Sequence, residues 1–345
     1  MPTLRPHSTR CCRAPRLRKR RCRPLPTALA RTRSKLLQSA RPTQSEPTGR
    51  ALLKGLAFAS PFIIGFLVLY LWPILASGYY SLTDFSLFKA PKWVGLANYE
   101  RMISDAKFWK SLYNTLFFTF VGVPVDIAIS IAGAHILNQK LKGQPLWRAL
   151  VYLPSIVPAV AAGFLWRWLL NAQYGFVNEI LRWFRIPQPN WLLDASWGGI
   201  SVIVLMLWTV GGTMLIYLAA LKNVPQELYE AAELDGAGPL RRFWHITWPM
   251  ISPVTLFQVI VLIIAFLQVF TQPFVLSKDP GLGTQTATGP GDSMLSYSIY
   301  LFQNGFTFLK MGYASAMAWV LLFVTLAITL LILWSAKKWV FYDNR

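Results

Sequence analysis

The chain has 345 residues, 54% of them hydrophobic and only 14% charged, with a formal net charge of +20 at pH 7. Several apolar runs reach about 20 residues with few or no charges, the length that crosses a hydrocarbon core of about 30 Å, which excludes a pair of soluble domains and implies a multi-spanning membrane protein. The charge is local, since residues 1–54 carry 15 Lys/Arg against the single acid Glu46, so it does not make the chain as a whole a nucleic-acid binder.

Residues 1–54 are rich in Arg, Pro, Ser and Thr and lack apolar periodicity, and this basic N-terminal tail is expected to be disordered. Its cluster Arg16–Arg23 suits an anionic lipid surface; alternatively, translation begins later and part of the tail is not made. Cys11, Cys12 and Cys22 have only His7 nearby and do not match zinc-site spacing, so they read as free thiols. The basic stretch and the first apolar run are both too long for a secretory signal.

A six-span domain is expected over residues 55–342. Its spans run roughly Gly55–Tyr79, Leu112–Ile136, Arg148–Leu170, Gly199–Leu221, Pro253–Leu276 and Gly312–Ala336. These runs lack the alternation of barrel strands, so the expected class is an all-α integral membrane fold of six transmembrane helices. With the tail inside, the inner segments hold 24 Lys/Arg and the outer ones ten; without the tail the count is nine against ten, so the orientation with both termini cytoplasmic leans on the tail. Trp72, Tyr79, Tyr80, Trp147, Trp166, Trp168, Trp334 and Trp339 fall near span ends, as interfacial rings do. Pro61, Pro73, Pro154 and Pro158 are expected to kink their helices.

Polar residues inside the spans are costly in lipid and must face protein or water. Asp126 sits near the middle of the second span, at a cost of about 2.5–3.5 kcal/mol on insertion scales, which roughly ten Leu, Ile, Phe and Val at about 0.3–0.6 kcal/mol each offset. The span can insert, yet Asp126 must face protein or water, as a substrate contact, a proton carrier or a hydrogen-bonding group at a subunit interface. Aromatic, amide and hydroxyl side chains inside the spans are further candidates for contact with a solute: Trp208 and Thr209 in the fourth span, Gln258, Gln268 and Gln272 in the fifth, and Trp319 in the sixth. Each of these is also a plausible packing or interhelical bonding residue.

The loop at 222–252 between the fourth and fifth spans is the most informative segment. It contains EAAELDGAG at 230–238, which gathers Glu230, Glu233 and Asp235 in a chain with only 14 acidic residues. Asn223 with Gln226 suggests a capping box with Pro225 in the first turn, and a helix then runs to about Leu234. Leu228, Ala231, Ala232 and Asp235 share one face; Gln226, Glu227, Glu230 and Glu233 share another. Gly236 suits a left-handed stop, and Gly238-Pro239 a second helix start. A helix lying on lipid would present Lys/Arg; this one presents Glu, which favours a protein partner with basic groups.

The segment EAAELDGAGPLRRFWHITWPMISP closely resembles the EAA loop of membrane subunits of binding-protein-dependent ABC importers. Glu230, Ala231, Ala232, Asp235, Gly236, Ala237, Phe243, Ile246, Pro249 and Pro253 fall where that pattern expects them, and Trp248 stands where Leu is usual. The resemblance extends over roughly 55–342. Through WVGLANYERMISDAKFWKSLYNT, WRWLLNAQYGFVNEIL and MGYASAMAWVLLF the chain is similar to the sugar branch, of the maltose-F or glycerol-phosphate-A type, in which the Asn114-Thr115 pair precedes the second span.

The resemblance implies a type I permease fold and the bacterial plasma (inner) membrane. It implies a second permease subunit as heterodimer partner, a cytoplasmic ABC ATPase dimer and an extracytoplasmic solute-binding protein delivering a sugar. Glu230, Ala231, Ala232, Asp235, Gly236 and Ala237 would form the ATPase-coupling element, with Glu230 making the charge contact, and the solute cavity would lie among the later spans. No phosphate loop is present, since no Gly-Lys pair occurs. The chain is therefore expected to be a transport subunit rather than an enzyme and to bind no cofactor, with ATP and Mg on the separate ATPase. His7, His135 and His245 are the only histidines, and no metal site is expected. A proton-coupled secondary transporter using Asp126 is the rival reading, and it leaves the EAA segment unexplained. A membrane glycosyltransferase would need clustered outer carboxylates, and Asp84, Glu100, Asp105, Glu179 and Asp194 show no grouping in sequence.

Overall fold

The computed structural model describes residues 48–139, 142–278 and 288–341. The expected disorder and lipid contact of the tail lie outside the described residues as far as residue 47, as do the three cysteines. The chain divides into two units, Met1–Val68 and Leu69–Arg345. In the first, the described part is helix α1, Thr48–Phe66, with Pro61 inside it; a π-helical turn, Leu67–Leu71, follows.

Among the described residues, the regular structure of the second unit is helical apart from one hairpin. It begins with α2 (Trp72–Ser81), β1 (Thr83–Ser86), β2 (Lys89–Trp93) and α3 (Ala97–Ser104). The long second span is α4, Ala106–Asn138. Then come α5 (Gln144–Ile156), α6 (Ala159–Leu169), α7 (Phe176–Trp183), α8 (Ala195–Leu207) and α9 (Gly211–Lys222). The loop holds α10 (Gln226–Leu234) and α11 (Pro239–Arg242), and the chain closes with α12 (Trp248–Leu267), α13 (Thr271–Ser277), α14 (Tyr297–Phe302) and α15 (Met311–Trp339). The hairpin, paired antiparallel from Thr83 with Trp93 to Ser86 with Lys89, is a small addition to the helical class.

Four helical stretches are long and apolar enough to cross a membrane: Leu52–Ser81, Ala106–Asn138, Pro239–Ser277 and Met311–Trp339. Two bent pairs complete six; the bend in the third span falls at Pro158, where a kink was expected, and the bend in the fourth was not expected. The third span turns by 99° between α5 and α6, and the fourth by 49° between α8 and α9. The physical cause at the first break is Pro158, which lacks an N–H and pushes Val157 into extended backbone at φ −68°, ψ 128°. At the second, Gly211 lies against the backbone of α5, where a Cβ would stand 2.0 Å from the Val151 carbonyl oxygen. Ser155 spans that break, donating to the Thr209 carbonyl (3.1 Å) and accepting from the Gly212 N–H (3.1 Å). The polar groups that a broken helix frees are thereby paired.

Helix α4 is the centre of the unit and packs against α8, α9 and α12. Phe118, Val202, Leu205 and Leu267 form one wholly buried cluster; Ala134, Leu137, Tyr217, Leu221 and Ile251 form a second toward the 222–252 loop. Asn114 and Thr115 lie within α4 rather than ahead of it. The Asn114 amide donates to the carbonyls of Asp292 (2.7 Å) and Leu295 (3.0 Å), and the Thr115 hydroxyl accepts from the Tyr297 N–H (2.8 Å).

Candidate functional site

The loop forms two short helices joined by a sharp bend, as the sequence implied, but it starts differently. Pro225 occupies the N-cap of α10 with no side-chain cap bond, and Asn223 instead closes α9. The capping box between Asn223 and Gln226 is therefore not formed, because the proline ring takes the capping position between them. The C-terminal end follows the sequence. Gly236 has φ +70°, and the Ala237 N–H reaches the Ala232 carbonyl (2.9 Å) while the Gly236 N–H reaches that of Glu233 (3.0 Å), the paired bonds of a Schellman end.

Glu230, Ala231, Asp235 and Gly236 are exposed, Ala232 and Ala237 half-buried, and α10 has no buried residue. Leu234 is 91% exposed, an apolar side chain at the bend facing solvent. Two contacts that sequence reasoning missed brace the element. Glu233 pairs with Arg242 across the bend, and the Tyr229 and Thr247 hydroxyls share a 2.8 Å hydrogen bond. The loop is thus internally rigid with one open face. Its roots, Leu221 and Ile251, are buried against Ala134 and Leu137 of α4.

A second site lies deeper, where the broken fourth span meets a break in the fifth at residues 268–270. A cavity of about 320 Å³ is lined by Asp126, Thr209, Thr213, Gln268, Thr271 and Gln272, together with Phe266, Phe270 and aliphatic neighbours. Four of the sequence candidates, Asp126, Thr209, Gln268 and Gln272, meet there. Asp126 is buried and accepts from the Ser130 hydroxyl (3.3 Å) one turn along its own helix. Two amides, three hydroxyls and a carboxylate around two phenyl faces form a lining that can bond a hydroxyl-rich solute in both senses and cover its C–H faces. Helix breaks at membrane depth supply such polar groups because their backbone must line a cavity or be buried.

Three candidates point elsewhere. Trp208 packs edge-on against Trp166 (6.1 Å between centroids), Gln258 is buried outside the cavity, and the Trp319 indole N–H donates to Ser77 (3.2 Å). Thr213, Phe270 and Thr271 were missed because a hydropathy pattern does not show the breaks that expose them; the Gly211-Gly212 pair and Pro273 were the available signals. A larger groove of about 1250 Å³ near the loop is walled mostly by apolar side chains such as Val123, Ile127, Ile131, Val259 and Ile263, which offer few bonds to a polyhydroxylated solute.

A family model described as "Binding-protein-dependent transport system inner membrane component" matches residues 107–339. The chain belongs to this family of membrane permeases. The permease is 40% identical over 296 residues to "Probable ABC transporter permease protein YesP" of Bacillus subtilis (strain 168), covering 85% of this chain and 93% of that one. It is 33% identical over 277 residues to "Arabinooligosaccharides transport system permease protein AraP" of the same organism, covering 79% and 85%. Its fold matches, with a TM-score of 0.71 and 22% identity over 84% of this chain and 96% of the other, a chain from the crystal structure of a bacterial alginate ABC transporter in complex with an alginate pentasaccharide-bound periplasmic protein. The permease therefore has the type I importer fold, and it is a transport subunit rather than an enzyme.

Proposed function

We propose that this permease carries a sugar or sugar derivative across the bacterial plasma membrane as one subunit of an ATP-driven importer. A second permease completes the pathway, a cytoplasmic ATPase dimer holds the ATP and Mg, and an extracytoplasmic solute-binding protein delivers the cargo. The observation that carries this reading is the exposed, internally braced helix–bend–helix element, whose roots are packed into the second, fourth and fifth spans. A rigid projection of this kind passes a displacement from a docked partner into the spans, alternating the access of the cavity. Glu230 supplies the charge contact with the ATPase. The loop and both termini then face the cytoplasm.

The sugar class is supported by the amide and hydroxyl lining of the 320 Å³ cavity and by relatives named for arabinooligosaccharides and alginate. Proton coupling through Asp126 is not favoured, since it would leave the loop without a role. Glu230→Lys and Gly236→Asp test the proposal in cells carrying the partner subunits. Solute uptake and copurification of the ATPase are expected to be lost while membrane insertion is kept. Normal uptake by both variants would refute the coupling role.

A further inference from the structure

We propose that α7, Phe176–Trp183, is an interfacial anchor whose apolar face lies in the lipid headgroup region at the end of the spans away from the coupling loop. The helix carries three distinct faces. Asn178 is buried, with Val177 and Leu181 half-buried beside it. Glu179 and Arg182 form a solvent-exposed ion pair at 3.0 Å. The remaining face presents Phe176 (56% exposed), Ile180, Trp183 (79%) and Phe184 (71%), left uncovered by the described residues.

Tethers hold α7 against the neighbouring spans. The Asn178 amide donates to the carbonyls of Ala172 and Pro189 (both 3.3 Å), and the Trp191 indole N–H donates to the Asn178 side-chain oxygen (2.8 Å). The Trp191 carbonyl accepts from Ser201 of α8 (2.9 Å), and α7 also packs on α6. Ser201 lies in the second turn of α8, so α7 is held beside the start of the fourth span, opposite the end that carries the 222–252 loop.

Lipid suits this face better than a solute-binding protein, which docks and leaves in every cycle and would leave four large apolar side chains against water in between; standing contact with the second permease is the outcome that the test below separates from lipid. The aromatic set continues the exposed Phe164, Leu165 and Trp168 of α6, and Arg182 and the exposed Arg185 beside it suit headgroup phosphates.

Site-directed spin labelling decides the question. Within the assembled transporter, the full chain, with Cys11, Cys12 and Cys22 replaced by Ser, receives one labelled cysteine at a time at 176, 180, 183 or 184, and at 179 or 182 as the opposing set. Labels are measured in vesicles of phosphatidylethanolamine and phosphatidylglycerol for collision with oxygen and with a water-soluble nickel chelate. Oxygen-dominated collision at the first set with nickel-dominated collision at the second is the expected result. Nickel-dominated collision at both sets would overturn the anchor, as would first-set labels shielded from both probes, the mark of a protein contact. Because both sets are read on the same helix, a globally misfolded sample appears as loss of contrast at buried control positions in α4 and is replaced by the reversible label at a neighbouring site of the same face.

Discussion

At the scale of single residues, two glycines serve opposite purposes. Gly236 has open space around a would-be Cβ but a left-handed backbone, so a side chain there meets a conformational cost of about 1–2 kcal/mol. Gly211 has ordinary backbone but no space, its would-be Cβ falling 2.0 Å from a backbone oxygen that no rotamer change can move. Gly211→Ala is therefore expected to force α5 and α9 apart, at a cost of about 1–3 kcal/mol for overpacking. Gly212→Ala, whose nearest neighbour would be 3.8 Å away, is expected to be neutral. Thermal unfolding of the purified variants checks the contrast, and equal melting temperatures would refute the close-approach argument. The solute candidates show what residue chemistry alone makes legible. Asp126, Thr209, Gln268 and Gln272 were identifiable because polar groups are scarce in apolar spans. Trp208, Gln258 and Trp319 satisfied the same criterion, and only packing reveals that they turn away.

At the scale of elements, the long helices were legible from their apolar length and the break in the third span from Pro158, while the helix ends and the breaks in the fourth and fifth spans were not. α4 begins at Ala106, six residues before the expected Leu112, because Asp105 caps it through the N–H groups of Lys107 (2.9 Å) and Phe108 (3.4 Å). The same carboxylate accepts hydroxyl bonds from Tyr300 of α14 and from Tyr313 of α15 (2.8 Å). It ties the start of α4 to two elements about 200 residues further along the chain, a link that no local pattern shows. Burial tends to push the Asp105 carboxyl up, but its hydroxyl and backbone donors outweigh that and hold it below the usual carboxylate range. Burial and the Asp105 contact push the Tyr300 hydroxyl up to about 12, so it remains a donor. A depressed folded-state pKa stabilises the fold above the unfolded value of about 3.9, and that contribution is lost as pH falls through the folded value. Asp105→Asn keeps a capping side chain but removes the charge, so it is expected to lower the melting temperature at pH 7 through the loss of charge-assisted bonds from Tyr300 and Tyr313, and the gap to the natural chain should narrow as pH falls below about 3.9. A gap that stays constant with pH would refute the charged cap.

At the scale of the whole molecule, the loop and the cavity are separate sites on shared helices. Along the fifth span, Ile251 at the loop root and Gln268 at the cavity are 17 residues apart, about 25 Å at 1.5 Å per residue. The loop motif was legible because its acids, glycines and prolines are unusual in so apolar a chain. The cavity was legible only in part, since it exists where two helix breaks converge. Physical separation makes the two sites distinguishable by kinetics. If the cavity is the solute path proposed above, Gln268→Ala removes an amide that would bond solute but leaves the loop's surface intact. A neutral hydrogen bond is worth about 0.5–1.5 kcal/mol, which corresponds to a rise in KM of about 2- to 12-fold, with ATPase copurification unchanged. Glu230→Lys leaves the cavity lining intact, so ATPase copurification and the maximal uptake rate should fall, while solute protection of a probe at the cavity persists. Uptake by proteoliposomes containing the assembled transporter, measured over a range of solute concentrations, separates the two patterns. Should Gln268→Ala release the ATPase, or Glu230→Lys raise KM alone, the assignment of motor contact to the loop and solute contact to the helix breaks would be reversed.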